Sequence, residues 1–291
     1  MKRFFTFLVI LAIALPGCVD MGAVGAFGKN SAAVASSSAA IDRGAAAEDA
    51  SEIGAVAGIK SDQVQQIFIG DREEYEREKI LTKNASLALA HYMNIITKLG
   101  GMSTSKIGGD IGGISDSLSS MKAVGAKATA ALGAAQALVN IITSRDVQAR
   151  AKSLIVKSDP FVQDIAIYLA DQAQQTINGY AAADSMTQSD WRKLELLDST
   201  GRSGLKIACE PVPLCSLTTR LAFRAQLHDH AAFVARIAVC AQAKIAFLKI
   251  AKDHKVMSDN VNHLTARNVI GILNADAPDL EKAATALQGI L

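Results

Sequence analysis

Residues 81–99 read LTKNASLALAHYMNIITKL, and their spacing decides the fold class. Leu81, Ala85, Ala88, Tyr92, Ile95 and Leu99 recur at alternating steps of four and three, which puts them on one face of an α-helix and marks the seam of an antiparallel bundle. The pattern extends backwards through SDQVQQIFIGDREEYEREKI, so a helix is expected from a cap near Ser61. The charged DREEYEREK run places Glu73 four residues before Arg77, an arrangement that suits a solvated helix face better than a pair of catalytic carboxylates.

The same rhythm returns downstream. Leu118, Met121, Gly125, Ala128, Leu132, Ala135, Val139 and Ile142 predict a helix over residues 115–144. A membrane span across Val124–Ile142 is disfavoured by Lys127, Gln136 and Asn140. Val162, Ala166, Leu169, Ala173, Ile177 and Tyr180 predict another helix, opening at Pro160 with Ser158 or Asp159 as its cap. A short helix carrying Trp191 follows from Asp190. The longest expected helix runs from Leu217 to about Lys255, with Phe223, Leu227, His230, Val234, Ile237, Ala241, Ile245 and Leu248 as its apolar stripe. Two shorter segments, from Thr265 and after Pro278, complete an elongated all-α antiparallel bundle over residues 60–291. Aromatic residues make up only 5% of the chain, which favours helix over sheet.

Gly100–Gly113, GGMSTSKIGGDIGG, interrupts the periodicity and reads as a flexible connection. A phosphate-cradling loop would need the spacing GxxxxGK[ST] after a strand, and neither is present.

The N-terminus bears on location. Lys2 and Arg3 precede an uncharged apolar run from Phe4 to Leu15, too short to span a bilayer, which is the profile of a signal peptide. Leu15-Pro16-Gly17-Cys18 resembles the lipobox of bacterial lipoprotein precursors, with Pro16 where that family usually carries a small or β-branched residue. The resemblance implies removal of residues 1–17, diacylglycerol on the Cys18 sulfur and acylation of its new amino group. The membrane is then a partner through Cys18, and the protein faces the periplasm. Val19, rather than an acidic residue, directly follows Cys18, which favours the outer membrane over the inner. An ordinary secretory signal, cut after Ala26 in AVGA, is the other reading. Residues 18–59 are rich in Ala, Gly and Ser and read as a flexible tether, although alanine permits a helical patch within it.

Chemistry-bearing motifs are sparse. With Cys18 acylated, Cys209, Cys215 and Cys240 remain, and an oxidising compartment points to one disulfide, with Cys209–Cys215 across CEPVPLC as the candidate and Cys240 as a buried small hydrophobe. The histidines at 91, 228, 230, 254 and 263 lack the i,i+4 spacing of a helical zinc site, and no G-x-S-x-G elbow is present. No catalytic residue, cofactor site or metal site is therefore assigned. A net charge of +2 without concentrated Lys or Arg gives no footprint for nucleic acid.

NASLALAHYMNIITKL and the terminal AFLKIAKDHKVM…LTARNVIGILNADAPDLEKA together resemble uncharacterised all-helical lipoproteins of proteobacteria. That resemblance implies an all-α body on a lipidated stem and carries no activity. The leading expectation is a non-enzymatic envelope component that scaffolds or binds another protein. The alternatives are a periplasmic ligand-binding protein or enzyme using His91, His228 and His230 between helices, and an exclusion or immunity lipoprotein.

Overall fold

The structure is a computed structural model, and it describes residues 21–41, 72–101, 107–124, 147–199 and 213–289. Within them lie six helices and no strand: α1 (Gly22–Ser38), α2 (Arg72–Gly100), α3 (Ile107–Val124), α4 (Val147–Ser199), α5 (Pro213–Asp259) and α6 (Arg267–Gln288). The all-α bundle expected from the periodicity is what the chain forms.

α2 is the central element, packing against α1, α3 and α4. Its seam is buried as the spacing requires, with Ala85, Ala88, Tyr92 and Ile95 closed off from solvent. The longest contact is the antiparallel pair α4–α5, whose partners descend on one helix as they rise on the other: Asp159 with His254, Gln174 with Lys244 and Asp184 with His230, with Lys152 reaching Asn262 just beyond the end of α5. From Asp159 to Asp184 this pair stays in register for about 38 Å of axis at ~1.5 Å per residue.

Several expectations are corrected. The largest concerns the tether: Gly22–Ser38 is a helix in the core, with Val24, Phe27, Val34 and Ala35 buried against α2 and α6. Counting bulky side chains missed the way small residues pack. A Cβ on Gly28 would lie 2.6 Å from the Thr97 amide nitrogen, and one on Gly100 would lie 2.3 Å from the Gly25 nitrogen. Backbone therefore packs on backbone, and contact between the helices replaces side-chain bulk. Ser38 adds a hydroxyl contact to Ser86 at 3.1 Å.

The glycine-rich connection also narrows, because α3 begins at Ile107 and absorbs Gly108, Gly109, Gly112 and Gly113 into a helix. Gly113 gives the His91 ring its room there, since a Cβ would lie 2.2 Å from the ring nitrogen and displace it. Neither Pro160 nor Pro278 starts a helix; each sits inside one, and the two helices expected over residues 160–199 are a single 53-residue α4. Burial on both sides of each proline holds the helix together: Leu154, Ile155, Phe161 and Val162 around Pro160, and Leu273 and Leu280 around Pro278. Cys18, Cys209, the span Val124–Ile142 apart from its first residue, and the side chains of Cys215, Trp191 and His228 lie outside the described residues, and with them the expected Cys209–Cys215 pair.

The stripe expected on α5 is displaced. Val234, Ile245 and Leu248 are 49%, 53% and 46% exposed, whereas Phe233, Cys240, Ala243, Phe247, Ile250, His254 and Met257 face the core. α5 is apolar on both faces, so the four-three spacing fits two seams about 100° apart, and only the neighbouring helices select between them.

Candidate functional site

Two features of the fold carry chemistry or recognition: a polar chain buried between α2, α4 and α5, and the outer seam of α5. The first begins with Tyr92, which α2 projects into the core beside Phe161, the ring centroids 6.0 Å apart and edge-on. Its hydroxyl lies 2.5 Å from Ser158 Oγ and 2.7 Å from His254 Nε2. The other imidazole nitrogen, Nδ1, lies 2.9 Å from Asp159 Oδ1. Gln163 Nε2 donates to the same Asp159 oxygen at 3.1 Å and to the Ala251 carbonyl at 2.7 Å.

The proton positions follow from the charges. Burial lowers the affinity of His254 for a second proton, against the opposing pull of Asp159, so the ring is neutral. Burial also disfavours the Asp159 anion, but the hydrogen bond from His254, with help from Gln163 and the charge of Lys255, outweighs it and holds the carboxyl below its ordinary value. Burial pushes the Tyr92 phenol far up. A neutral ring between an anion and a phenol donates from Nδ1 to Asp159 and accepts the Tyr92 proton at Nε2. Ser158 then donates to Tyr92.

This Asp-His-Tyr-Ser order has the connectivity of a proton relay, in which a carboxylate orients a base and the base polarises a hydroxyl. Tyr92, Ser158 and His254 are each fully buried, however, so neither hydroxyl meets solvent. As it stands the chain fixes the relative height of three helices.

A second polar cluster ties α5 to α6. Lys249 Nζ donates to Asp276 at 2.6 Å and also to Asp279, while Lys252 Nζ donates to Asp276 at 3.1 Å. Beneath them Asp253 is fully buried with neither carboxylate oxygen hydrogen-bonded. Burial, reinforced by the negative charge of Asp276, pushes its carboxyl up to about 7.

The histidines singled out from the sequence are not brought together. His91 lies 3.3 Å from Asp110, which Lys98 also engages, at the α2–α3 contact. His230 lies 2.7 Å from Asp184 at the α4–α5 contact. Tyr92, next to His91, reaches Ser158, and Ser158 and Asp184 are separated by about 39 Å along α4. Among the described residues no group of three or more His, Cys, Asp or Glu side chains is arranged to hold a metal ion. Cys240 is a buried thiol, as its surroundings in the sequence suggested, and burial pushes it up to about 11.

Sequence reasoning missed the relay. Tyr92 was legible as a polar member of a seam, but His254 sits on the α5 seam that the spacing alone did not select, and Ser158 and Asp159 read as caps of a helix that does not start there.

The second feature is the outer seam of α5. Val234, Ala238, Ala241, Ile245 and Leu248 follow each other at four, three, four and three residues, with Val234, Ala238, Ile245 and Leu248 exposed. The α4–α5 register places Ile167, itself 48% exposed, level with Leu248. The stretch His230–Asp259 is long and apolar enough to cross a membrane by composition, with 28% of its most apolar window buried. In comparisons with protein-family models, curated proteins and solved structures, nothing matches this chain.

Proposed function

We propose that the protein is a lipid-anchored component of the bacterial envelope with a non-enzymatic role, held to the membrane through Cys18 and presenting the outer face of α5 to another protein. It faces the periplasm, at the outer rather than the inner membrane. The observation that carries this reading is the unburied four-three seam Val234–Leu248. A contiguous apolar strip costs solubility, and where it has coiled-coil spacing it suits a protein partner. The sealed relay supports a structural rather than catalytic use of its polar groups.

The position of α1 supports cleavage before Cys18. Removal of residues 1–17 leaves α1 whole, whereas a cut after Ala26 would sever Val24 from the core it fills and Gly25 from its contact with Gly100. Only Val19, Asp20 and Met21 separate Cys18 from α1. At ~3.6 Å per extended residue, an acylated Cys18 would hold the start of α1 within about 15 Å of the bilayer. The body would sit against the membrane rather than at the end of a long stem.

Two measurements test the reading. Radioactive palmitate should label the wild type and not Cys18→Ala, and equal labelling would overturn the anchor. A photo-crosslinking residue at position 245 in intact envelopes should give a protein adduct, with none from the exposed polar position Lys157. Absence of any adduct at 245 overturns the docking face.

A further inference from the structure

We infer that the outer seam of α5 is a self-association surface, on which a second copy of the chain packs its own α5 antiparallel about a two-fold axis. The inference rests on the reading of this seam as a docking face and names its occupant. Shape comes first. Along the seam the side chains run Val234, Ala238, Ala241, Ile245 and Leu248, so one half is mostly small and the other large. In a parallel pair, alanine would meet alanine and Ile245 and Leu248 would meet themselves, splaying the helices at one end and leaving a gap at the other. An antiparallel pair sets Ala238 against Leu248 of the partner subunit and Ala241 against Ile245 of the partner subunit, small against large in both layers, which keeps the helix spacing constant.

Charge selects the same direction. Lys252 lies on the seam's face beyond Leu248 and is 61% exposed even while its ammonium reaches Asp276 at 3.1 Å, and the Asp184–His230 pair lies beyond Val234 at the other end. A parallel pair would stack Lys252 on Lys252. The antiparallel pair brings Lys252 over Val234 of the partner subunit, within reach of the end that carries Asp184, and does so twice by symmetry. Lys249 leans towards Asp276 and Asp279 and leaves the seam clear. Ile167 widens the apolar surface at the Leu248 end.

The seam covers about 21 Å of helix, and a contact of that length buries roughly 1,000 Å² in all, below the ~1,600 Å² of a standard interface. The dimer is therefore a reversible one.

Sedimentation equilibrium on the mature chain should show a monomer–dimer equilibrium. Ile245→Glu should weaken it about a hundredfold, since symmetry counts the buried charge twice, with an unchanged thermal melt because Ile245 is more than half exposed. In a mixture of Ala238→Cys and Leu248→Cys chains under oxidation, peptide mapping should find a 238–248 disulfide between chains. A 238–238 bond, a dimer indifferent to Ile245→Glu, or a monomer that instead floats with phosphatidylglycerol vesicles overturns the inference. Where the chain stays monomeric, maleimide labelling of Ala238→Cys separates the two readings: rapid labelling overturns self-association and leaves the docking face, and protection overturns both.

Discussion

Replacing Asp253 by asparagine should change how stability depends on pH, in a direction the structure dictates. Asp253 is fully buried, both oxygens lack a hydrogen-bond partner, and the carboxyl is pushed up to about 7 by burial and by Asp276, against the opposing charges of Lys252 and Lys249. In the unfolded chain the same group titrates near ~3.9. Between these values the folded protein binds the proton and the unfolded chain does not, so the stability contributed by the neutral acid falls as pH rises, by about 1.4 kcal/mol per unit. From pH 5 to pH 8 the loss is about 3 kcal/mol, most of it complete by pH 7. Asparagine keeps the shape and cannot ionise. Urea unfolding of the wild type and Asp253→Asn at half-unit steps should give a difference in the variant's favour that widens by about 3 kcal/mol over that range and then levels. His254 works the other way: held neutral in the fold, it contributes stability present above about 6.5 and lost as pH falls, but it is common to both proteins and cancels in the difference. Parallel stability curves across pH 5–8 would refute the reasoning.

Three further outcomes follow from the packing. Tyr92→Phe removes the hydroxyl that joins His254 and Ser158 and should cost about 1–3 kcal/mol in chemical denaturation, because both groups stay buried and lose a partner. Gly100→Ala should destabilise by about 1–3 kcal/mol despite alanine's better helix propensity, since its Cβ would sit 2.3 Å from the Gly25 nitrogen; Gly271→Ala, with nothing within 4 Å, should stabilise by about 0.5–1 kcal/mol, and thermal melts of the two separate the effects. Deleting residues 19–41 should abolish the cooperative melt, because α1 covers α2 and α6; a truncated chain that melts like the wild type would restore the flexible stem.

How far the sequence could be read depended on whether a segment had one possible core face or two. On α2 the expected stripe is buried from Ala85 to Ile95, and Ser86, Leu89, Met93 and Ile96 are buried directly beside it, so the helix has one broad core face that contains the stripe. On α4 the face from Val162 to Tyr180 was legible for the same reason, with all but Ile177 buried. α5 offered two, and the one with the larger branched residues is the one left outside. Cys240, His254 and Met257 mark the true core face but are individually weak signals.

By itself the sequence determined the helical class, the antiparallel order and the absence of familiar catalytic spacing, because helical periodicity and motif spacing are local properties of the chain. Tertiary structure decided the rest. Gly28 becomes core, and Gly25 closes on Gly100, only because α2 offers Thr97 and Gly100 for backbone to pack against, and an alanine–glycine stretch has no such surface on its own. Tyr92, the neighbouring Ser158 and Asp159, and His254 come from three distant parts of the chain and form one hydrogen-bonded line only once α2, α4 and α5 are aligned. The exposed seam of α5 is likewise defined by which of two adjacent apolar seams the described neighbouring helices cover.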